Sequence, residues 1–498
     1  VVCTDSTQVK NYLTNLSIPL SGVSYLIANS NSVWMRDYGA NTVYTDAVDS
    51  LKLIDWIYNR PRPADDAVPS ALATFKNIPL YATTTAPNDL VHTGGNFMVD
   101  GFGTAFSSNL VLDENALNNS YGVTVKTEAD IDTIMKNYMG IDRYIKMPVL
   151  PYDGIHHIDM HMKLFDEETL IVGEYPQGVA DGPQIEANLQ YVLSNFNSMF
   201  GTPYKVIRVQ MPPGSNGNYP DASPWWNAGE YRTYANSVFV NKTLLVPVYT
   251  PQYDTTALRI IRENLPGYNV VGIDCNQVIQ AGGALHCITR AVGVENPLLI
   301  SHQPLADRMN DPNSYPINAL IQHKTGIANA NVYYRTDTTQ PYSMAAMTLT
   351  NPTNNTWTGL IPNVSAIDTL VYYYIAAQAN SGKQQVRPMP APEGYWRFRV
   401  QNTVTSIGTE MLIQNELKQV YPNPAQAITC VPLEVNVQTE GKLSLWNSLG
   451  QEVKVLHNGV FEKGKTNYFF DARGLSSGAY WVQWATSTQV YMQKILIR

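Results

Sequence analysis

Along residues 1 to about 327, short apolar runs alternate with stretches of helical spacing. Val23–Ala28, Thr169–Gly173 and Leu244–Val248 are continuous apolar runs of strand length and predict buried strands. Ile185–Phe200, which ends beside Gly201, carries its apolar residues at helical spacing. Ala257–Leu265 does the same before Pro266 and Gly267, a helix stop. The alternation predicts an α/β or α+β unit of catalytic size over residues 1–327. Past Asn331 only strand patterns remain. Val332–Arg335, Leu370–Ala379 and Tyr395–Val400, separated by Asn-Pro, Ser-Gly and proline-rich turns, predict a small β-sandwich of immunoglobulin type over 328–402. A polar linker near Gln401–Glu410 opens a last all-β unit, 403–498, with hairpins around Leu443–Val453, Leu475–Val482 and Lys494–Arg498.

Length fits this division, since 498 residues suggest about three domains at roughly 150 residues each. Charged residues make up only 15% of the chain, against about 25% in typical soluble proteins, while tyrosines number 31. A surface kept soluble by neutral polar groups suits an exported protein. The net charge of -8 argues against nucleic acid as a partner and favours the approach of cations. Cys3, Cys275, Cys287 and Cys430 follow no metal or redox spacing, so at most one disulfide is expected. No run of 18 apolar residues predicts a membrane span. Val1-Val2-Cys3 reads as the end of a buried strand, and earlier residues are expected to be missing.

Several stretches carry candidate chemistry. Gly282-Gly283 precede Leu285-His286-Cys287, with the cysteine at the head of an apolar run. A free cysteine is usually a small buried core residue; as a nucleophile it needs a proton acceptor and groups that hold a substrate. In Ile155–Met162, strand alternation would put His157, Asp159 and His161 on one face. Those three could ligate a metal. Alternatively, His157 is a general acid/base, Asp159 grips a cation and His161 is a satisfied core or supporting histidine. No further ligand cluster completes a metal shell. Trp34–Gly39, His92–Phe97 and Tyr234–Val240 share the same texture, a polar group at the mouth of an apolar strand. From Asp37 the steps to Asn96, His157, Asn236 and Cys287 are 59, 61, 79 and 51 residues, a loose repeat of five units around one centre.

Trp34-Met35-Arg36-Asp37-Tyr38-Gly39, Gly94-Gly95-Asn96, His157–Lys163, Ala235-Asn236-Ser237 and Gly282–Thr289 together resemble the guanidino-group-modifying (pentein) superfamily. The likeness spans nearly all of residues 1–327 and is nearest to secreted peptidylarginine deiminases of the Porphyromonas type, in the agmatine deiminase branch. It implies a five-bladed α/β propeller followed by two small all-β sandwich domains. Cys287 would be the nucleophile, His157 the acid/base, Asp37 and Asp159 the guanidinium clamps, Asn236 a polar support and Trp34 an apolar wall. Arg60 and Arg62 in Tyr58–Pro63 would hold the carboxylate of a C-terminal arginine; alone, this stretch reads as a solvated turn. Tyr421-Pro422-Asn423-Pro424 and the three hairpin motifs after it resemble the sorting domain of the type IX secretion system of Bacteroidetes. That implies a secreted or surface-attached protein whose partners are the type IX machinery and arginine-bearing peptides or proteins.

The chemistry implied is hydrolysis of peptidyl-arginine to citrulline and ammonia through a cysteine thiouronium, with no metal or organic cofactor. Pro213–Tyr231 is a candidate lid. The rival readings are an agmatine or free-arginine deiminase or an amidino transferase of the same superfamily, a Cys-His-Asp protease or transglutaminase, and a non-catalytic surface adhesin.

Overall fold

In the computed structural model the described residues are all of 1–498 except 177, 178, 180, 222–228, 310–313, 365–368, 402–414, 422, 426, 427, 487 and 488. The chain divides into two compact units, Val1–Thr403 and Val404–Arg498. The expected linker at 402–410 lies outside the described residues.

The first 300 residues form a mixed α/β fold that repeats one pattern four times. Two antiparallel strands are followed by a helix and a third strand, parallel to the second. The first repeat is Asn41–Thr45, Ser50–Tyr58, the helix Val68–Lys76 and Leu80–Thr83. The second runs from Met98–Val99 through Thr104–Ser108 and the helix Glu128–Met139 to Arg143–Met147. The third is Met162–Leu164, Thr169–Glu174, the helix Gly182–Asn195 and Lys205–Gln210. The fourth is Val238–Val240, Thr243–Val248, the helix Pro251–Asn264 and Asn269–Asp274. A shorter unit opens the chain: Val2–Cys3 pairs in parallel with Leu26–Ile27 across the helix Ser6–Asn15.

Local sequence explains the elements. Pro183 and Pro251 sit in the first turns of their helices, where the missing N–H costs nothing. Ile185, Leu189 and Val192 lie on one face of Gly182–Asn195 and are buried against Leu170 and Val172 of the neighbouring strand. Thr127 and Asp130 form a reciprocal capping box at the start of Glu128–Met139, and Gly140, at φ 68°, ends that helix. Two strand expectations fail. Val23–Ala28 yields only Leu26–Ile27, with Ile27 exposed, because only Leu26 of that pair reaches the core. Val2 and Cys3 are half-buried rather than buried.

Residues from Leu299 to Gln401 form a nine-stranded, largely antiparallel sheet around a core that includes Ile317, Val332, Tyr373 and Phe398. It begins well before residue 328, because Leu299–Ser301 and Ser314–Gln322 pair into it. Ser314–Gln322 buries every second residue, a period that its polar neighbours mask in the sequence. In the second unit, Glu416–Leu417, Ile428–Val435 and Gly464–Asp471 make one sheet. Glu452–Phe461, Thr439–Asn447, Gly478–Thr486 and Val490–Ile497 make another, and both feed one core around Leu433, Leu445 and Trp484. Pro422 of the Tyr421–Pro424 motif lies outside the described residues.

Candidate active site

A short polar turn precedes the first strand of each repeat. Asp37 lies in the helical turn Met35–Tyr38, before Asn41–Thr45. Asn96 lies in the 3-10 turn Gly94–Asn96, before Met98–Val99. Asp159 lies in the 3-10 turn Ile158–Met160, entered through His157, before Met162–Leu164. Asn236 sits two residues before Val238. The recurrence carries four distant stretches to the same end of equivalent sheets, where side chains can meet.

Hydrogen bonds then lock these turns to the cysteine segment. Asn236, fully buried, accepts at Oδ1 from the backbone N–H of His286 (2.9 Å) and of Cys287 (3.3 Å). Its Nδ2 lies 3.3 Å from the Asp159 carbonyl and 3.2 Å from the Cys287 sulfur. The Arg36 N–H donates to the Cys287 carbonyl at 3.0 Å. Cys287 is 3% exposed, with Sγ 3.9 Å from Asp159 Oδ2. On the other side, His157 Nδ1 lies 3.6 Å from Asp37 Oδ1. Gly95 is obligatory there, since a Cβ would overlap His157 Nδ1 and come within 2.8 Å of Asp37 Oδ1. Gly283 serves the cysteine likewise: a Cβ would lie 2.9 Å from the Cys287 sulfur and 2.6 Å from the Trp34 ring.

Burial governs the charges. It raises the Asp37 carboxyl to about 7, against the opposing pull of Arg60, and the Asp159 carboxyl to about 8, helped by the nearby charge of Asp37. Burial, with Asp159 and Asp37 adding to it, pushes the Cys287 thiol well up. The His157 imidazole is driven down to about 3 by burial, with Arg60 and two histidines contributing, and is neutral. One oxygen of each carboxylate, Asp37 Oδ1 and Asp159 Oδ1, is buried without a hydrogen-bond partner among the described residues, as is His157 Nε2. Unpaired acceptors in a closed site are costly, and a planar cation with several N–H donors would satisfy both.

The structure thus brings Cys287, Asp159 and Asn236 together, sets His157 beside Asp37, and packs Trp34 against the core cluster that contains the cysteine. Arg60 is half-buried, close enough for its charge to act on Asp37 and His157, and its side chain makes no hydrogen bond among the described residues. Arg62 instead donates to the Tyr58 hydroxyl at 3.1 Å. Three expectations need correction. His157, Asp159 and His161 do not share a strand face, because a 3-10 turn rotates them apart. His161 is a core histidine but not a satisfied one: both ring nitrogens lack hydrogen-bond partners among the described residues, and burial lowers it to about 4. Cys287 lies in a turn rather than at the head of a strand. Among the described residues no group of His, Cys, Asp or Glu could hold a metal ion, and the four cysteines are free. Of the expected lid, residues 222–228 lie outside the described residues.

His286 escaped the sequence reading, although it stands next to Cys287. Its Nδ1 lies 2.6 Å from Asp159 Oδ2, so it orients that carboxylate. Arg36 and Lys163 also escaped it; both lie within charge range of Asp159 and Cys287.

Comparison with known proteins bears on this constellation. Residues 1–292 match the family model of Porphyromonas-type peptidyl-arginine deiminases, and residues 419–498 match that of the secretion system C-terminal sorting domain. Curated relatives provisionally assigned as agmatine deiminases include one from Mycoplasma capricolum, 23% identical over 290 residues (54% of this chain, 76% of the relative). One from Shewanella frigidimarina is 25% identical over 297 residues (54% and 76%). Among solved structures, a provisionally assigned arginine deiminase from Porphyromonas gingivalis shares 23% identity, with a TM-score of 0.49 over 58% of this chain and 82% of that one. The agmatine deiminase of Enterococcus faecalis shares 21%, with a TM-score of 0.47 over 58% and 81%. The sorting domain marks the protein for the type IX machinery, and hence for secretion or attachment at the cell surface. No helix among the described residues is long and apolar enough to cross a membrane.

Proposed function

The chain belongs to the Porphyromonas-type peptidyl-arginine deiminase family, a branch of the pentein deiminases, and from that premise we propose that it hydrolyses peptidyl-arginine, at a C-terminal arginine, to citrulline and ammonia. The observation that carries the reading is a pair of buried carboxylates, each with one oxygen lacking a hydrogen-bond partner among the described residues. Asp159 lies 3.9 Å from a buried sulfur on which the charges of both carboxylates act. Asp37 and Asp159 hold the guanidinium in plane by charge-assisted hydrogen bonds and turn its carbon toward Cys287.

Substrate binding drives the ionisations. The cation brings both carboxyls to their charged forms and makes the thiolate accessible, which the empty site disfavours. The thiol proton passes to neutral His157, and the sulfur bonds to the guanidinium carbon. Imidazolium returns that proton to one amino group, the C–N bond breaks, and ammonia leaves a thiouronium on Cys287. His157 next takes a proton from water, the hydroxide adds to the same carbon, and the C–S bond breaks to release citrulline. The imidazolium returns its proton to the sulfur, and the hydroxyl proton passes to solvent, where the released ammonia takes it up. Asn236 Nδ2 supports the sulfur whenever it carries charge.

Arg60 supports a substrate with a carboxylate, since a half-buried guanidinium without a side-chain partner beside the clamp matches that group. Agmatine, which lacks it, would leave Arg60 unused. The repeats and the opening strand pair fit five blades around the site, followed by an immunoglobulin-like sandwich and a sorting domain, the division 1–327, 328–402 and 403–498 with the first boundary moved toward residue 299. Mass spectrometry of a peptide ending in arginine tests the reading: one NH group should be exchanged for oxygen by the native chain and not by Cys287→Ala. Turnover by a clean Cys287→Ala preparation would remove the nucleophile assignment.

A further inference from the structure

Behind Asp159 and His286 lies a cavity of about 270 Å³. Cys287, His157, Asp37, Trp34, Arg60 and Arg62 do not line it, and of the guanidinium clamp only Asp159 reaches its wall. Its wall carries three cations, Arg36, Lys163 and Arg290, against a single carboxylate, Asp159. Arg290 is anchored, donating from Nε to the Ala40 carbonyl at 2.9 Å and also to Asn41 Oδ1. Arg36 uses only Nε, on the His286 carbonyl at 3.2 Å, and the Lys163 ammonium makes no hydrogen bond or ion pair among the described residues. Arg36 is close enough to both other cations to disfavour their charge, and burial with that repulsion lowers Lys163 to about 7.

An excess of positive charge in a recess is expensive unless an anion offsets it. The two terminal nitrogens of Arg36 present the planar fork that matches a carboxylate, with Lys163 as a second point of charge. Phe97, Met98, Val99, Met139, Met162 and Leu164 give the rest of the wall an apolar part, beside the polar Asn41, Thr42 and His286. A hydrated inorganic ion would leave that surface uncovered, whereas a hydrocarbon tail would fill it. The volume is just under the roughly 300 Å³ at which small-molecule pockets begin.

We infer that this cavity binds a small organic monocarboxylate, its carboxylate on Arg36 and Lys163 and its apolar tail against Phe97, Met139 and Met162. The inference is independent of the deiminase reading, because binding is measured without turnover. Benzoate is titrated into the full chain by calorimetry at constant ionic strength and pH 6.5. Saturable one-to-one binding is expected, at least tenfold weaker in Lys163→Met and also in Met139→Trp, which fills the apolar end without touching a cation. Inorganic phosphate should bind at least tenfold more weakly than benzoate. Absence of saturable binding to the native chain would overturn the proposal, as would native affinity in Met139→Trp, whether or not Lys163→Met folds. Phosphate binding as tightly as benzoate would overturn the assignment of an organic ligand.

Discussion

Asn236→Ala is the sharpest perturbation of the site, because one buried amide organises three segments. Truncation leaves the backbone N–H of Cys287 without its acceptor, while that of His286 keeps only the Asn236 backbone carbonyl at 3.1 Å. A buried donor so stranded costs about 1–3 kcal/mol, and with the weakened His286 bond and the lost Nδ2 contact to the Asp159 carbonyl the sum is about 3 kcal/mol. With an unfolding entropy of about 2.1 cal/mol/K per residue, the 403 residues of the first unit melt with roughly 0.85 kcal/mol/K. The variant should therefore melt about 3–4 °C lower by calorimetry. The reaction loses more, because Nδ2, 3.2 Å from the sulfur, is a donor to a developing thiolate. A hydrogen bond to a charged group contributes about 1.5–3 kcal/mol, so kcat/KM for citrulline formation should fall about 10- to 150-fold. A melting point within 1 °C of native, together with kcat/KM within a factor of about three, would refute the role given to Asn236.

The pH dependence should be equally informative. Free-site carboxyls at about 7 and about 8 mean that kcat/KM rises across that interval as Asp37 and Asp159 ionise, and an acid limb below pH 5 would contradict their burial. These two groups keep protons in the folded chain that the unfolded chain has lost above its ordinary carboxyl value of 3.8. They therefore make stability fall as pH rises from there to about 8, which thermal melts of the native chain and of Asp159→Asn would compare. Gly283→Ala forces a methyl to 2.6 Å from Trp34 and 2.9 Å from the Cys287 sulfur. It should cost about 1–3 kcal/mol in urea unfolding and at least tenfold in turnover, and a silent substitution would mean that the turn is not held where described. Arg60→Ala with Arg62→Ala should damage turnover of a C-terminal-arginine peptide far more than turnover of agmatine. Equal losses on both would set aside the carboxylate role.

Legibility varied by element in a physical way. The strands Thr169–Glu174 and Thr243–Val248 and the helix Gly182–Asn195 were readable because burial there follows from contiguous or periodic apolar residues. Ser314–Gln322 was not, since Pro316 reads against a strand and Leu320 puts an apolar residue at an outward position, so the alternation becomes visible only when Ile317, Ala319 and Ile321 meet a common core. The histidine stretch misled for a related reason: alternation assumes an extended backbone, and the turn at Ile158–Met160 departs from it. His286 and Lys163 carry no local signal, because a histidine in a turn and a lysine in a strand acquire a role only from what faces them.

The sequence by itself determined the alternation of strands and helices and the residue types that tip each unit. Those properties depend on neighbours a few positions apart. Only the tertiary structure decided that Asp37, His157, Asp159, Asn236 and Cys287 meet, which of their atoms pair, and which stay unpaired. Distances across hundreds of residues, and the burial that moves each proton, arise when the sheets pack and exclude water.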